Sequence, residues 1–282
     1  MKLKSVIYLL VEKMLSPCTD KIVCISKAEK HSAEREHIAK KDKLVLIPNG
    51  IDVNAVRNAE AKSRMELGIA DDAFVVGMIG RLSPQKAPDV FIQAAKLIHE
   101  QIPNCAFIIV GNGEETEQVE AFAKENGLEL LITGWTDEPY TYLKAFDVAM
   151  LLSRWEGFGL AVVEYMAAEK NVVATKIDAI PTLIEDGVDG LLVEVDNPQD
   201  AANKVLWLHH HPEEAAEMRC KALKKVIENY DINRVVNQHI DMFEKLISGG
   251  ANLRTIILSK ITETPNVFIG CAATSKEGRV AA

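Results

Sequence analysis

From residue 73 to residue 195 short β-rich apolar runs alternate with amphipathic stretches, a rhythm that leaves a chain few folds to choose from. A strand buried on both faces reads as an unbroken apolar run. An amphipathic helix has one stripe to bury, so the two together build a parallel sheet covered by helices. The runs at 74–79, 106–110, 128–133, 148–152, 172–175 and 191–195 predict six strands with helical patterns between consecutive pairs. The expected class is α/β, with a doubly wound parallel sheet. Upstream, 21–25 and 44–47 read as two further strands around a charged helix over 27–40. Downstream, 199–210, 212–229 and 232–248 read as three helices, and the second and third carry apolar residues at helical spacing. After Gly249-Gly250 the pattern fails, and residues 251–282 fit no element.

Composition narrows the functional classes. The 282 residues suffice for one large domain or two small ones, and 48% hydrophobic against 26% charged is the balance of a folded soluble protein. The apolar run at 6–11 falls far short of the roughly 18 residues that span a bilayer, and no small-residue cleavage site follows it. No export signal is expected. With 41 acidic and 32 basic residues the net charge is −9, which lacks the footprint of a general nucleic-acid binder. Any phosphate must be gripped locally. Cys18, Cys24, Cys105, Cys220 and Cys271 are odd in number and scattered, without a CxxC pair, against both a disulfide framework and a zinc site. A reducing cytoplasm fits this usage.

The chemistry concentrates between Ser153 and Glu164. This segment leaves a hydrophobic strand, passes through Gly157 and Gly159, and enters a helix at about Leu160. Glu156 then sits on the loop at the strand's carboxyl end, where open α/β sheets bind ligands, and Glu164 lies about one turn into the helix. The glycines let backbone N–H groups approach a ligand, and the helix start adds partial positive charge suited to phosphate. The helix is otherwise apolar from Leu160 to Ala168, so Glu164 either points outward, pairs with a lysine, or meets donors such as the vicinal hydroxyls of a ribose. A second cluster, Gly80-Arg81-Leu82-Ser83-Pro84-Gln85-Lys86, follows the first strand of the repeat. Its two cations either serve phosphate oxygens or form an ordinary solvated turn. Pro48-Asn49-Gly50 bends the backbone sharply after the 44–47 strand, as ligand loops often do.

In this order and spacing the motifs resemble the nucleotide-sugar half of retaining glycosyltransferases with the GT-B architecture, most closely the large family 4 group. The resemblance rests on Ile47-Pro48-Asn49-Gly50-Ile51-Asp52, Gly80-Arg81 with Lys86, Val110-Gly111-Asn112-Gly113, Thr133-Gly134, and the Glu156/Glu164 pair, and covers residues 21–248. It implies a Rossmann-like, C-terminal half of a GT-B fold. It divides the chain into a remnant of an N-terminal region or linker (1–42), a nucleotide-sugar-binding domain (43–230), a C-terminal crossover helix (231–248) and an unassigned tail (249–282). It further implies that Arg81, Lys86 and Glu156 are catalytic: the cations on the donor diphosphate, Glu156 on the sugar hydroxyls. Donor binding would fall to Asn49, Gly50, Gly80, Thr133, Gly134, Gly157, Phe158, Gly159, Leu160 and Glu164. Glu164 would take the ribose, and the N–H groups of Phe158, Gly159 and Leu160 the phosphate. The loop at Thr133-Gly134-Trp135 resembles the family's base-binding wall, with Trp135 itself equally readable as a packing residue.

The chain departs from the family pattern at Glu169-Lys170-Asn171, where Gly-x-Pro is usual, and at Asp178-Ala179-Ile180-Pro181-Thr182, where Gly-Gly-x-Pro-Glu is usual. Neither change is expected to touch the glutamate pair. The acceptor domain that precedes this region in the family is expected to be missing.

The function implied is a retaining, hexosyltransferase-type glycosyltransferase moving a sugar from a nucleotide-diphosphate sugar to a glycan, lipid or small-molecule acceptor, in glycan or polysaccharide biosynthesis. The alternative is a non-catalytic donor-binding module, or one subunit of a split enzyme with a separate acceptor-domain chain. No cofactor and no metal are expected, since the chain has no Asp-x-Asp pair. No nucleic-acid partner is expected, and the location is cytoplasmic or membrane-peripheral through an N-terminal domain. A dehydrogenase reading fails because Gly111-Asn112-Gly113-Glu114-Glu115-Thr116 lacks the third glycine and sets two carboxylates where a pyrophosphate would sit. His209-His210-His211 closes a helix before Pro212 and is expected to face solvent.

Overall fold

In the computed structural model residues 2–247 are described, with side chains from residue 7 onward. The expectations for residues 248–282, Cys271 among them, lie outside this range. The described residues divide into two compact units, residues 51–231 and residues 2–50 with 232–247.

The unit with the chain's start begins with α1 (Lys2–Leu15), β1 (Ile22–Cys24), α2 (Lys27–Arg35) and β2 (Leu44–Leu46). β1 and β2 pair in parallel, Ile22 opposite Leu44. Ser26 caps α2 by accepting from Glu29 N–H (3.0 Å), and the Glu29 carboxylate accepts in return from Ile25 N–H (2.6 Å), which closes the helix start from both sides. The sequence predicts α2 as far as residue 40, but it stops at Arg35. His37 takes a left-handed φ of 52°, and Ile38 N–H turns back to Ala33 O, which buries the Ile38 side chain.

The larger unit contains α3 (Val53–Asn58), β3 (Phe74–Ile79), α4 (Pro88–His99), β4 (Cys105–Val110), α5 (Thr116–Glu125), β5 (Leu130–Ile132), α6 (Pro139–Leu143), β6 (Val148–Leu151), α7 (Leu160–Ala167), β7 (Asn171–Thr175), α8 (Ile180–Leu183), β8 (Leu191–Val193), α9 (Pro198–His210) and α10 (Pro212–Asn229). α11 (Ile232–Leu246) returns to the first unit. All six strands of the larger sheet are parallel, in the order β5-β4-β3-β6-β7-β8. The chain starts at the centre with β3, winds outward through β4 and β5, then returns across β3 to lay down β6, β7 and β8. That is the doubly wound α/β sheet expected from the alternation.

The core explains why the strands read as continuous apolar runs. β4 is buried at every residue, and β6, β7 and β8 likewise. Val76, Met78, Phe107, Ile109, Met150 and Val173 on one face pack with Phe91, Ala95 and Ile98 of α4, Val119 of α5 and Val205 of α9. α7 belongs to no part of that cluster and packs on β6, β7, α3, α8 and α10, covering the other face. Among the described residues no helix is long and apolar enough to cross a membrane.

Candidate functional site

The winding direction reverses between β3 and β6, and such a switch point is where open α/β sheets bind ligands beyond the carboxyl ends of their strands. The β3 loop carries Gly80, Arg81 and Lys86. The β6 loop carries Ser153 through Gly159. Residues 70 apart in sequence thereby become neighbours.

Lys86 Nζ forms an ion pair with Glu156 Oε1, and the same oxygen accepts from the Ser153 hydroxyl at 2.9 Å. Ser153 is fully buried and Glu156 is 9% exposed, so this carboxylate is largely out of water and is held by one cation and one hydroxyl. Unpaired, a buried ion of this kind would cost several kcal/mol. The aliphatic stem of Lys86 runs along Gly80, where an added Cβ would lie 3.6–3.7 Å from it, in ordinary contact. Thr175 Oγ1 at the end of β7 donates to Ser153 O (2.7 Å), fixing the loop from the next strand.

Glu156 N–H also donates to Asp178 Oδ2 at 2.9 Å. This corrects the expectation that the change at 178–182 leaves the glutamates untouched: Asp178, in a left-handed turn (φ 47°), is a hydrogen-bond partner of Glu156 itself. Ile180 in the same stretch is fully buried, and its Cδ1 lies 2.5 Å from where a Cβ on Gly159 would sit.

Gly159 is the N-cap of α7 and adopts φ 96°, a conformation that glycine enters without Cβ strain. It offers no side-chain cap, so the leading N–H groups of α7 have no partner inside the helix and carry the positive end of its dipole. Phe158 is buried against the Tyr230 ring (centroids 5.9 Å apart, 71°), whereas Gly157 faces open space. One turn along α7, Glu164 Oε1 accepts from the Tyr140 hydroxyl at 2.9 Å. Burial pushes the Glu164 carboxyl above its ordinary value, opposed by the Tyr140 hydrogen bond and the charge of Lys86. Lys86 thus acts on both glutamates. Its neighbour Tyr165 is fully buried, and its hydroxyl accepts from Ile79 N–H at 2.7 Å, which ties α7 to the last residue of β3.

Arg81 is exposed and forms no ion pair among the described residues. Thr133 ends the β5 ladder through its N–H to Ile109 O, and its hydroxyl donates to Gly134 O (2.8 Å); Gly134 (φ 74°) bridges to Gly111. Trp135 is 76% exposed, which removes the reading of it as a packing residue. Asn49 and Gly50 belong to the other unit, in the turn after β2; there an added Cβ on Gly50 would meet Val235 Cγ2 at 2.9 Å. His209 and His210 are exposed, while His211 stacks on Trp207 (4.4 Å, 11°).

Three residues received no site role from the sequence. Arg154 pairs with Asp89 (2.7 Å) and Asp196 (2.6 Å) and donates to Pro84 O (2.8 Å), lashing the β6 loop to the β3 loop. Tyr140 and Asp178 grip the two glutamates. An arginine directly beside the glutamate loop was a usable signal for the first; no spacing rule marks the other two, whose partners are 24 and 22 residues away. A cavity of about 540 Å³ lies at the other end of the strands, lined by Phe74, Asp147, Lys170 and Asn171, and takes no part in this cluster.

Comparison with known proteins places the chain in a family. Residues 59–225 match the family described as glycosyl transferases group 1. The chain is 29% identical, over 258 residues, to the UDP-Gal:alpha-D-GlcNAc-diphosphoundecaprenol alpha-1,3-galactosyltransferase of Escherichia coli, which covers 87% of this chain and 66% of that protein. It is 31% identical, over 172 residues, to the poly(ribitol-phosphate) alpha-N-acetylglucosaminyltransferase of Staphylococcus aureus, covering 60% of this chain and 35% of that one. Among solved structures, Anabaena HepE in complex with UDP and glucose superposes with a TM-score of 0.76 at 23% identity, covering 84% of this chain and 66% of its own. The chain therefore spans less than two thirds of the length of each of these relatives.

Proposed function

Given that the chain belongs to the group 1 glycosyl transferases by its match over residues 59–225, we propose that it binds a nucleoside-diphosphate sugar between β3 and β6 and transfers the sugar to an acceptor with retention of configuration, as the family 4 enzymes do. The observation that carries the reading is the Lys86–Glu156–Ser153 cluster at the switch point, with Glu164 one turn into the adjoining helix. That switch point is where open α/β sheets hold nucleotides.

In this reading the diphosphate lies across the start of α7, against the N–H groups of Phe158, Gly159 and Leu160, with Arg81 and Lys86 as its counter-charges. Glu156 accepts from sugar hydroxyls and Glu164 from the ribose. Thr133 and Gly134 border the base, and Gly80 completes the donor loop after β3. The bond from the anomeric carbon to the leaving phosphate oxygen breaks as the bond to the acceptor oxygen forms on the same face. A donor phosphate oxygen takes the acceptor proton. Arg81 and Lys86 offset the charge that develops on the diphosphate, so protein cations do what a divalent ion would otherwise do. Lys86 must then divide its charge between Glu156 and phosphate.

The base is uracil in this reading, because the E. coli relative uses UDP-Gal and HepE was solved with UDP. Calorimetry with UDP, GDP and ADP tests the site: UDP should bind most tightly, and no heat with any of the three would remove it. The anomeric configuration of a transferred sugar, read by NMR, tests retention.

A further inference from the structure

Glu164 and Tyr140 belong to different elements, α7 and α6, and meet through one hydrogen bond of 2.9 Å from the phenol to Oε1. Among the described residues no other side chain or backbone group donates to this carboxylate, and Oε2 receives no donor. Both side chains are half-buried. A carboxylate offers about four lone-pair directions over its two oxygens, so a single anchor on Oε1 leaves Oε2 able to accept from a ligand. A glutamate held by one oxygen has also lost much of the rotamer freedom that it would otherwise lose on binding.

We propose that Tyr140 is a positioning residue that sets ribose selectivity: its hydroxyl holds Glu164 by Oε1 and presents Oε2 to the vicinal hydroxyls of the donor nucleotide. The inference rests on the reading of Glu164 as the ribose contact and adds the residue through which that contact is aimed.

The surrounding charges define a second consequence. Lys86, from the loop after β3, and Tyr140, from α6, both favour the ionised carboxylate against its burial. Tyr140 itself is raised, first by burial, then by Glu164 and by Asp52 at the start of α3, so the phenol keeps its proton and remains a donor at any working pH. Removing the hydroxyl leaves Lys86, among the described residues, as the group drawing the Glu164 carboxyl down. The carboxylate then protonates at higher pH, and ribose binding fails earlier as the solution is acidified.

The experiment measures, on the full chain, the affinities for UDP, 2′,3′-dideoxy-UDP and inorganic pyrophosphate between pH 5 and 8, for the wild type, Tyr140→Phe and Glu164→Gln. The wild type should prefer UDP to its dideoxy form, and Glu164→Gln should lose that preference. Tyr140→Phe should cut the preference roughly tenfold, about the worth of a hydrogen bond to a charged group, with pyrophosphate affinity unchanged and the acid limb of UDP binding moved to higher pH. If Tyr140→Phe keeps both the preference and the acid limb while Glu164→Gln loses the preference, the role of Tyr140 is overturned and the ribose reading stands. Loss of pyrophosphate binding in Tyr140→Phe would reveal a general structural role and overturn the proposal too. A wild type with no preference for UDP over the dideoxy form sinks the ribose reading and this inference with it.

Discussion

Lys86 on the loop after β3 and Glu156 on the loop after β6 form an ion pair, with the Ser153 hydroxyl on the same carboxylate oxygen. Each charge is thereby matched by the other, and the largely buried carboxylate is not left unpaired. Arg81, exposed and without an ion pair among the described residues, is the cation of the same loop with its full charge available.

Arg81→Ala should therefore weaken UDP by about 1.5–3 kcal/mol, the range for hydrogen bonds to charged groups, and leave uridine nearly unaffected. Parallel titrations of the two ligands check this. Equal loss for both would give Arg81 another role.

Gly159→Ala places a Cβ at φ 96° and 2.5 Å from Ile180 Cδ1. The methyl of Ile180 can rotate away, but the backbone strain cannot be relieved without turning the first N–H groups of α7. A stability loss on the order of 1–2 kcal/mol is expected from a non-glycine residue in this region, together with a larger loss of pyrophosphate affinity. Urea unfolding and calorimetry of the same preparation separate the two effects; unchanged pyrophosphate binding would show that the turn does not cradle phosphate.

Tyr165→Phe removes the acceptor of Ile79 N–H, supplied by a fully buried side chain. An unsatisfied buried donor costs about 1–3 kcal/mol, so the midpoint of urea unfolding should fall by that amount without a change in its slope. Substitution at no cost would mean that Ile79 N–H finds another partner.

Lys170 provides a test by pH. Its burial, against the opposing charge of Asp147 and with Arg219, Arg64 and Lys144 adding repulsion, pulls its pKa from 10.5 to about 8. Below pH 8 both folded and unfolded chains carry the proton, and the folded state bears the full cost of the charge. Between about 8 and 10.5 the unfolded chain holds the extra proton, so stability rises with pH across that window. Lys170→Met should thus be more stable than the wild type by on the order of 2 kcal/mol at pH 7, with the advantage shrinking above pH 8 and gone near pH 10. The difference in unfolding free energy at pH 7, 8.5 and 10 measures it; a difference independent of pH would contradict it.

The sheet was legible because its strands are buried on both faces: runs such as Phe74–Ile79 and Cys105–Val110 have no polar alternation to obscure them. The start of α7 at Leu160 was legible for a similar reason, with two glycines followed by a solid apolar stretch. Boundaries governed by tertiary contact were not. α2 was drawn too long because burying Ile38 favours a left-handed turn at His37 over further helix. Trp135 could be read either way until its exposure was known, since an aromatic residue in a loop suits both solvent and core.

The sequence by itself determined the α/β class, the helix start that bears Glu164, and the two loops with their charges, because periodicity, glycine placement and charge are local properties of the chain. Tertiary structure alone decided which of those charges meet. Lys86 pairs with Glu156 because β3 and β6 are neighbours at the switch point, Asp178 reaches Glu156 N–H because the turn after β7 folds back upon it, and Tyr140 holds Glu164 because its side chain reaches from α6 to α7. Hydrogen bonds and ion pairs act over a few ångströms in space, so a single side chain such as Tyr140 can link two helices, and nothing in the spacing of residues along a chain records which distant partners the winding of a sheet will bring within that reach.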